Sequence, residues 1–267
     1  MFEYLDELTA FYSRATPKAY AVNDISIVRI EALLGGLPAA KSFTTHLDVG
    51  CGTAWLPVLL QNTHPETFSH GVDLSLDSLL VGKEIIQSRG LSEKIKLYHR
   101  DVEELEILPG MCDLVTACSS LMLLRDPEGF VTKVSILLRP GGVLAFSTQT
   151  KDSFLNPYKL KAAREVLGLK LPDVKDCLNT PQVCRRVCLR AGFGDVLVTE
   201  KNHDYHVRVE NQKWFGSWLH PENPLRNISD AQRRDLHAEF KHLLAHDAVD
   251  GKVICQRRFL YVWATKA

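Results

Sequence analysis

Leu47-Asp48-Val49-Gly50-Cys51-Gly52-Thr53-Ala54 puts an acid at the end of an apolar run, then two glycines one residue apart, then a helical stretch. A chain that turns this tightly commits to a strand–loop–helix unit. Positions without side chains let another molecule reach the backbone, and amides at such a loop attract electron-rich atoms. A lone Gly-x-Gly is also the mark of an ordinary tight turn. Its meaning depends on the strands downstream of it.

Phe68 to Val72 reads as a second strand ending in Asp73, and Ile95 to His99 as a third, followed by Arg100-Asp101-Val102. A carboxylate at the tip of the second strand can accept two hydrogen bonds from a ribose diol. Charge-assisted bonds of this kind are stronger than neutral ones. The Asp101 carboxylate could accept from an adenine amino group, beside an amide and an apolar wall from Val102. Cys112 to Ala117 reads as a fourth strand, with Cys118-Ser119-Ser120 after it. Leu138-Arg139-Pro140-Gly141-Gly142 closes a helix, and Val143 to Thr148 is a fifth strand. Each acid alone could be a solvated turn residue. Together they mark the ends of three successive strands on one rim of a parallel sheet, where open α/β sheets bind ligands.

With these residues in place, the chain resembles the S-adenosylmethionine (SAM)-dependent methyltransferases of the Rossmann-like class. The resemblance rests on Leu47 to Ala54, Gly71-Val72-Asp73-Leu74-Ser75, Arg100-Asp101-Val102-Glu103, Leu138 to Leu144 and Ala191-Gly192-Phe193. It runs from about Ser13 to Val198, and more loosely to the C-terminus. It implies SAM as cofactor. The loop of Asp48, Gly50, Cys51 and Gly52 would hold the methionine end, Asp73 with Leu74 the ribose, and Asp101 with Val102 the adenine. Cys118 and Ser119, and Tyr12 and Tyr20 in the N-terminal segment, complete the candidate cofactor set.

Two departures stand out. The family often has a third glycine where this chain has Ala54, a residue that does not take a left-handed backbone without cost. Many small-molecule members carry a histidine shortly after the fourth strand, where this chain has Leu121-Met122-Leu123-Leu124.

The fold expected is α/β: a Rossmann-like seven-stranded, mostly parallel sheet with helices on both faces. An N-terminal helical lid would occupy residues 1–41, broken near Thr16-Pro17, and the SAM-binding core residues 42–200. Asp195 to Thr199 would be the sixth strand. A substrate cap, residues 201–256, would interrupt the core before the final strand, residues 257–267. Irregular chain is expected from Lys201 to about Pro224. Thr180-Pro181 and Ser229 each read as a helix start.

Candidate acceptor-side groups are His203, Tyr205 and His206, which follow the sixth strand. Histidine changes charge near neutral pH and can take a proton. Met122, Trp214 and Trp218 are candidate substrate contacts. For each of these, packing is the competing reading. No metal site is expected, since His242-Leu243-Leu244-Ala245-His246 lacks the glutamate of a zinc-protease helix.

Thirty-two basic residues balance 32 acidic ones, which argues against broad nucleic-acid binding. There is no apolar run long enough for a membrane span and no basic, apolar secretory start. Seven cysteines without scaffold spacing suit reduced thiols in the cytoplasm. A nicotinamide oxidoreductase is disfavoured, because Trp55 falls where its fingerprint needs a small residue. The leading expectation is methyl transfer from SAM to oxygen, nitrogen or carbon of a small, apolar or aromatic metabolite, as in secondary-metabolite biosynthesis. Protein or RNA methylation and a non-catalytic SAM-binding scaffold remain open alternatives.

Overall fold

A computed structural model describes residues 24–106, 109–150, 152–170, 177–212, 225 and 228–267. The sheet strands are β1 Thr45–Val49, β2 Phe68–Asp73, β3 Ile95–His99, β4 Cys112–Cys118, β5 Leu138–Gln149, β6 Phe193–Asn202 and β9 Arg258–Lys266. A separate hairpin pairs β7 Tyr205–Arg208 with β8 Lys252–Cys255. The helices are α1 Asp24–Leu34, α2 Trp55–Leu60, α3 Leu76–Ser88, α4 Pro127–Leu137, α5 Asn156–Leu167, α6 Pro181–Arg190 and α7 Asp230–His246.

The large sheet runs β3-β2-β1-β4-β5-β9-β6. Neighbours from β3 to β5 are parallel, and β9 lies antiparallel between β5 and β6. This is the expected seven-stranded, mostly parallel Rossmann-like sheet. Strand side chains alternate between two cores, as a period of two requires. Val115, Leu144, Leu260 and Val262 face one cluster, with Phe130 and Val134 of α4 and Cys184 and Val187 of α6. Leu114, Ala145, Tyr261 and Trp263 face the other, with Leu33 of α1 and Leu60 of α2. Strands covered on both faces must be apolar at nearly every position, and the buried run from Phe259 to Ala264 is the clearest case.

Local signals set the helix starts. Ser75 accepts the Ser78 amide at 3.2 Å, Asp126 accepts Gly129 at 2.9 Å, and Thr180 accepts Val183 at 3.2 Å. Each satisfies an amide that the first helical turn leaves unpaired. Ser229 and Gln232 form a reciprocal capping box at the start of α7.

The segment after β6 differs from the irregular chain expected there. Residues Tyr205 to Arg208 are a strand, paired in register from Tyr205↔Cys255 to Arg208↔Lys252. Val253 and Cys255 are buried with Phe240 and Leu244 of α7, and Tyr205 and Val207 pack on them. His206, Arg208 and Ile254 face out. Four alternating residues are too few to read as a strand without their partner, which lies far along the chain.

The parallel strands all end on one rim. Because β9 runs the other way, it begins on that rim: Gln149, last in β5, pairs with Phe259, near the start of β9. The rim therefore receives residues from the sequence just before β9 as well as from the loops after β1, β2 and β4.

Candidate active site

A cavity of about 480 Å³ opens at this rim. Asp48, Gly50, Cys51, Gly52, Asp73, Leu74, Asp101, Val102, Cys118 and Ser119 all line it. Tyr12, Tyr20, Trp214 and Trp218 lie outside the described residues.

The glycine loop is built by close approach. The Gly50 and Cys51 amides both donate to the Val72 carbonyl, at 2.9 and 3.1 Å. Gly50 has φ +65°, and a Cβ there would lie 2.5 Å from the Ser120 Cβ. Gly52 has φ +53°, but a Cβ there would meet nothing within 4 Å. Its open side belongs to the cavity it lines. The Cys51 thiol packs toward Gly71, where an added Cβ would come within 2.8 Å of its sulfur. Burial pushes that thiol well above its ordinary pKa, so Cys51 contributes backbone and bulk rather than a nucleophile.

Ala54 corrects an expectation. It caps α2 in the left-handed conformation, at φ 61° and ψ 22°, which an alanine is expected to avoid. Its methyl is buried against Val58 and Ile86, which offsets part of the strain.

Asp73 and Asp101, which line the cavity, are each held by two hydrogen bonds. Asp73 accepts the Gly52 amide at 2.7 Å through Oδ2 and the Ser75 amide at 2.8 Å through Oδ1. Burial raises its pKa, while these bonds pull the other way. Asp101 accepts the Glu103 amide at 2.8 Å and the Arg125 guanidinium at 2.6 Å. Each carboxylate oxygen keeps acceptor capacity for a ligand.

Beneath the loop, Asp48 is 1% exposed. Thr116 donates to it at 2.6 Å, and His46 Nε2 lies 2.7 Å from the same hydroxyl. Ser69 lies 3.0 Å from His46 Nδ1. A hydroxyl that donates to Asp48 accepts from His46, which places a proton on Nε2. Burial raises Asp48 to about 7 and lowers His46 to about 3.

The acceptor-side candidates do not reach the cavity wall. His203 lies 3.1 Å from the Tyr261 hydroxyl and edge-on to Phe259. Tyr205 accepts from Arg257 at 2.7 Å and packs into the hairpin cluster. His206 points outward from the hairpin, opposite to Tyr205. Met122 is buried in a short turn, and its neighbours Leu123 and Leu124 line the cavity instead. The strand beside β6 supplies the wall that the end of β6 does not. Arg257, the residue before β9, and Phe259 within it line the cavity, as do Arg29 of α1 and Phe154. The available signal was Gln256-Arg257-Arg258-Phe259, a polar and aromatic run just before an apolar strand.

Comparison with known proteins agrees with this geometry. Residues 47–146 match the family described as a methyltransferase domain. A ubiquinone biosynthesis O-methyltransferase of Bordetella avium is 30% identical over 155 residues, 56% of this chain and 59% of the relative. The chain spans only 24% to 62% of the length of the curated relatives it matches. Two solved structures share the fold. A Haemonchus contortus phosphoethanolamine N-methyltransferase 2, bound to phosphomonomethylethanolamine and S-adenosylhomocysteine, has TM-score 0.55 and 16% identity, covering 91% of this chain and 52% of that one. A geranyl diphosphate C-methyltransferase of Streptomyces coelicolor has TM-score 0.55 and 14% identity, covering 90% and 79%. Residues 47–146 thus resemble a methyltransferase domain, on a fold shared with solved methyltransferases.

Proposed function

From that resemblance as premise, we infer that the protein transfers a methyl group from SAM to a small acceptor held in the same cavity. The observation that carries the reading is convergence. Asp48, Gly52, Asp73 and Asp101 come from three successive strand ends and meet on one wall. The cavity volume falls within the range of about 300–1,000 Å³ usual for small-molecule sites.

The residues fit the cofactor. Gly52 leaves its open side to the ligand, and Asp73 presents acceptors suited to a ribose diol. Asp101, oriented by Arg125, and Val102 suit an adenine edge. Arg29 lines the end nearest Ser119, to which it donates at 3.2 Å, and fits an amino-acid carboxylate. When bound, SAM supplies a methyl group made electrophilic by the positive sulfonium.

The chain's own contribution is to orient and to exclude water. Leu123, Leu124, Phe154 and Phe259 give the remaining wall an apolar surface. Holding two reactants in line supplies much of the acceleration for such a displacement. No side chain need take a proton when the acceptor arrives already deprotonated, whereas a phenol or alcohol must give its proton to water or to a basic group. The hairpin with α5 and α7 acts as a cap on the acceptor side. The apolar and aromatic wall supports an apolar or aromatic metabolite, and the match to the Bordetella enzyme supports oxygen as acceptor atom.

The test is transfer from methyl-labelled SAM to a panel of phenols, amines and activated carbon acids, with protein and RNA substrates run separately. Label in a small-molecule product supports the reading. Label only in protein or RNA would refute it.

A further inference from the structure

The residue just before β9 is a cation that the cofactor reading does not use. Arg257 lines the cavity, and its guanidinium lies 3.9 Å from the Tyr205 ring centroid and 5.2 Å from that of Phe154. One nitrogen donates to the Tyr205 hydroxyl at 2.7 Å. Its Nε–H is buried without a hydrogen-bond partner. Among the described residues no carboxylate forms an ion pair with it. The Asp204 carboxylate accepts the Arg257 backbone amide, at 2.9 Å, rather than its side chain.

A guanidinium offers five N–H donors in a planar fork that matches carboxylate and phosphate geometry. Removing one from water without an anion is costly. Stacking on two rings compensates in part and fixes the plane of the fork. Positive charges outnumber negative ones nearby. His203 is lowered chiefly by burial and then by the charges of Arg29, Lys201 and Arg257, with Asp204 acting in the opposite direction. Arg29 stacks 5.1 Å from the centroid of Phe259, on the same wall. The pocket thus combines aromatic walls from Phe154 and Phe259 with a cation in need of an oxyanion.

We propose that the methyl acceptor carries a carboxylate or phosphate on an apolar or aromatic body, and that Arg257 binds this group. Arg257 is a specificity residue on the acceptor side, distinct from the groups that fit SAM. This assignment rests on the methyltransferase reading and names the substrate class of the same site.

The test uses three probes of similar body: benzoate, phenyl phosphate and the neutral benzamide. Each is titrated by calorimetry into the full chain, with and without saturating S-adenosylhomocysteine. Benzoate or phenyl phosphate should bind at least about tenfold more tightly than benzamide, the loss expected for one charged hydrogen bond. Whichever anion wins separates a carboxylate from a phosphate acceptor. Arg257→Gln should abolish the preference and Arg257→Lys retain part of it, while both keep the thermal shift given by S-adenosylhomocysteine. Equal binding of all three probes, binding of none, or an undiminished preference in Arg257→Gln would overturn the proposal. If the glutamine variant does not fold, the preference measured on the unaltered protein decides. No thermal shift with S-adenosylhomocysteine would instead defeat the methyltransferase reading, and the titrations without it still decide the anion preference.

Discussion

The Asp73 carboxylate accepts the Gly52 amide at 2.7 Å, so the acid at the end of β2 closes the loop that follows β1. The residue suited to a ribose diol also sets the shape of the loop suited to the methionine end. Removing it strikes both. Asp73→Ala leaves the Gly52 and Ser75 amides without their partner, at about 1–3 kcal/mol for each that stays dry. We expect a lower unfolding midpoint and at least a hundredfold loss of S-adenosylhomocysteine affinity by calorimetry. Unchanged affinity in a folded Asp73→Ala protein would remove Asp73 from the site.

The loop glycines should respond differently to alanine. At Gly50 the new methyl meets Ser120, so the left-handed cost of about 1–2 kcal/mol adds to overpacking of about 1–3 kcal/mol. At Gly52 the methyl has room and only the backbone cost applies. Gly50→Ala should therefore lose more stability in urea, whereas Gly52→Ala should stay folded and bind S-adenosylhomocysteine about tenfold or more weakly. A stable Gly52→Ala protein with full affinity would contradict this placement of the ligand.

Ala54 balances opposed effects. Glycine there would relieve about 1–2 kcal/mol of left-handed strain. It would add about 0.5–1 kcal/mol of backbone entropy cost and lose about 0.8 kcal/mol from a buried methyl. The expectation for Ala54→Gly is a stability within about 1 kcal/mol of the parent. Ala54→Val, branched and left-handed, should lose more than about 2 kcal/mol. Denaturant melts of the two variants check the difference.

Asp48 and His46 pull stability in opposite directions with pH. Between about 4 and 7 the folded Asp48 holds a proton that the unfolded chain has released, so this group's stabilisation is lost as pH rises. Between about 3 and 6.5 the unfolded His46 holds a proton that the folded ring excludes, so its contribution grows as pH rises. In the shared window of about pH 4 to 6.5 the two slopes oppose each other. Asp48→Asn should make stability rise more steeply with pH there, by up to about 1.4 kcal/mol per unit. His46→Gln should tilt the profile the other way. Parallel profiles for both variants would show that the pair does not titrate as the buried chain through Thr116 requires.

The fold and one wall of the site were legible in the sequence because they rest on local signals. Gly50 and Gly52 are favoured by their left-handed backbone, Gly50 also by its closeness to Ser120, and Asp73 and Asp101 by their place at strand ends. Thr180 and Ser229 announce their helices through bonds made within one turn. The acceptor wall was not legible, because it depends on pairing between distant segments. Tyr205 forms a strand only against Cys255, and Phe259 reaches the rim only because β9 runs antiparallel beside Gln149. His203 follows the right strand, but its ring packs on Tyr261 and Phe259, and it is Phe259 that lines the cavity. The left-handed Ala54 was hidden for another reason: its strain is balanced by packing that no single position reveals.

Cofactor recognition is read directly from thermal unfolding of the full chain with SAM, S-adenosylhomocysteine or NAD. A ligand at about 100 times its dissociation constant stabilises by roughly 2.7 kcal/mol. For a chain of this size the midpoint should rise by on the order of 5 °C. The midpoint should rise with SAM and S-adenosylhomocysteine and stay unchanged with NAD. A flat response to both SAM-type ligands at millimolar concentration, or a rise with NAD alone, would contradict SAM as the cofactor.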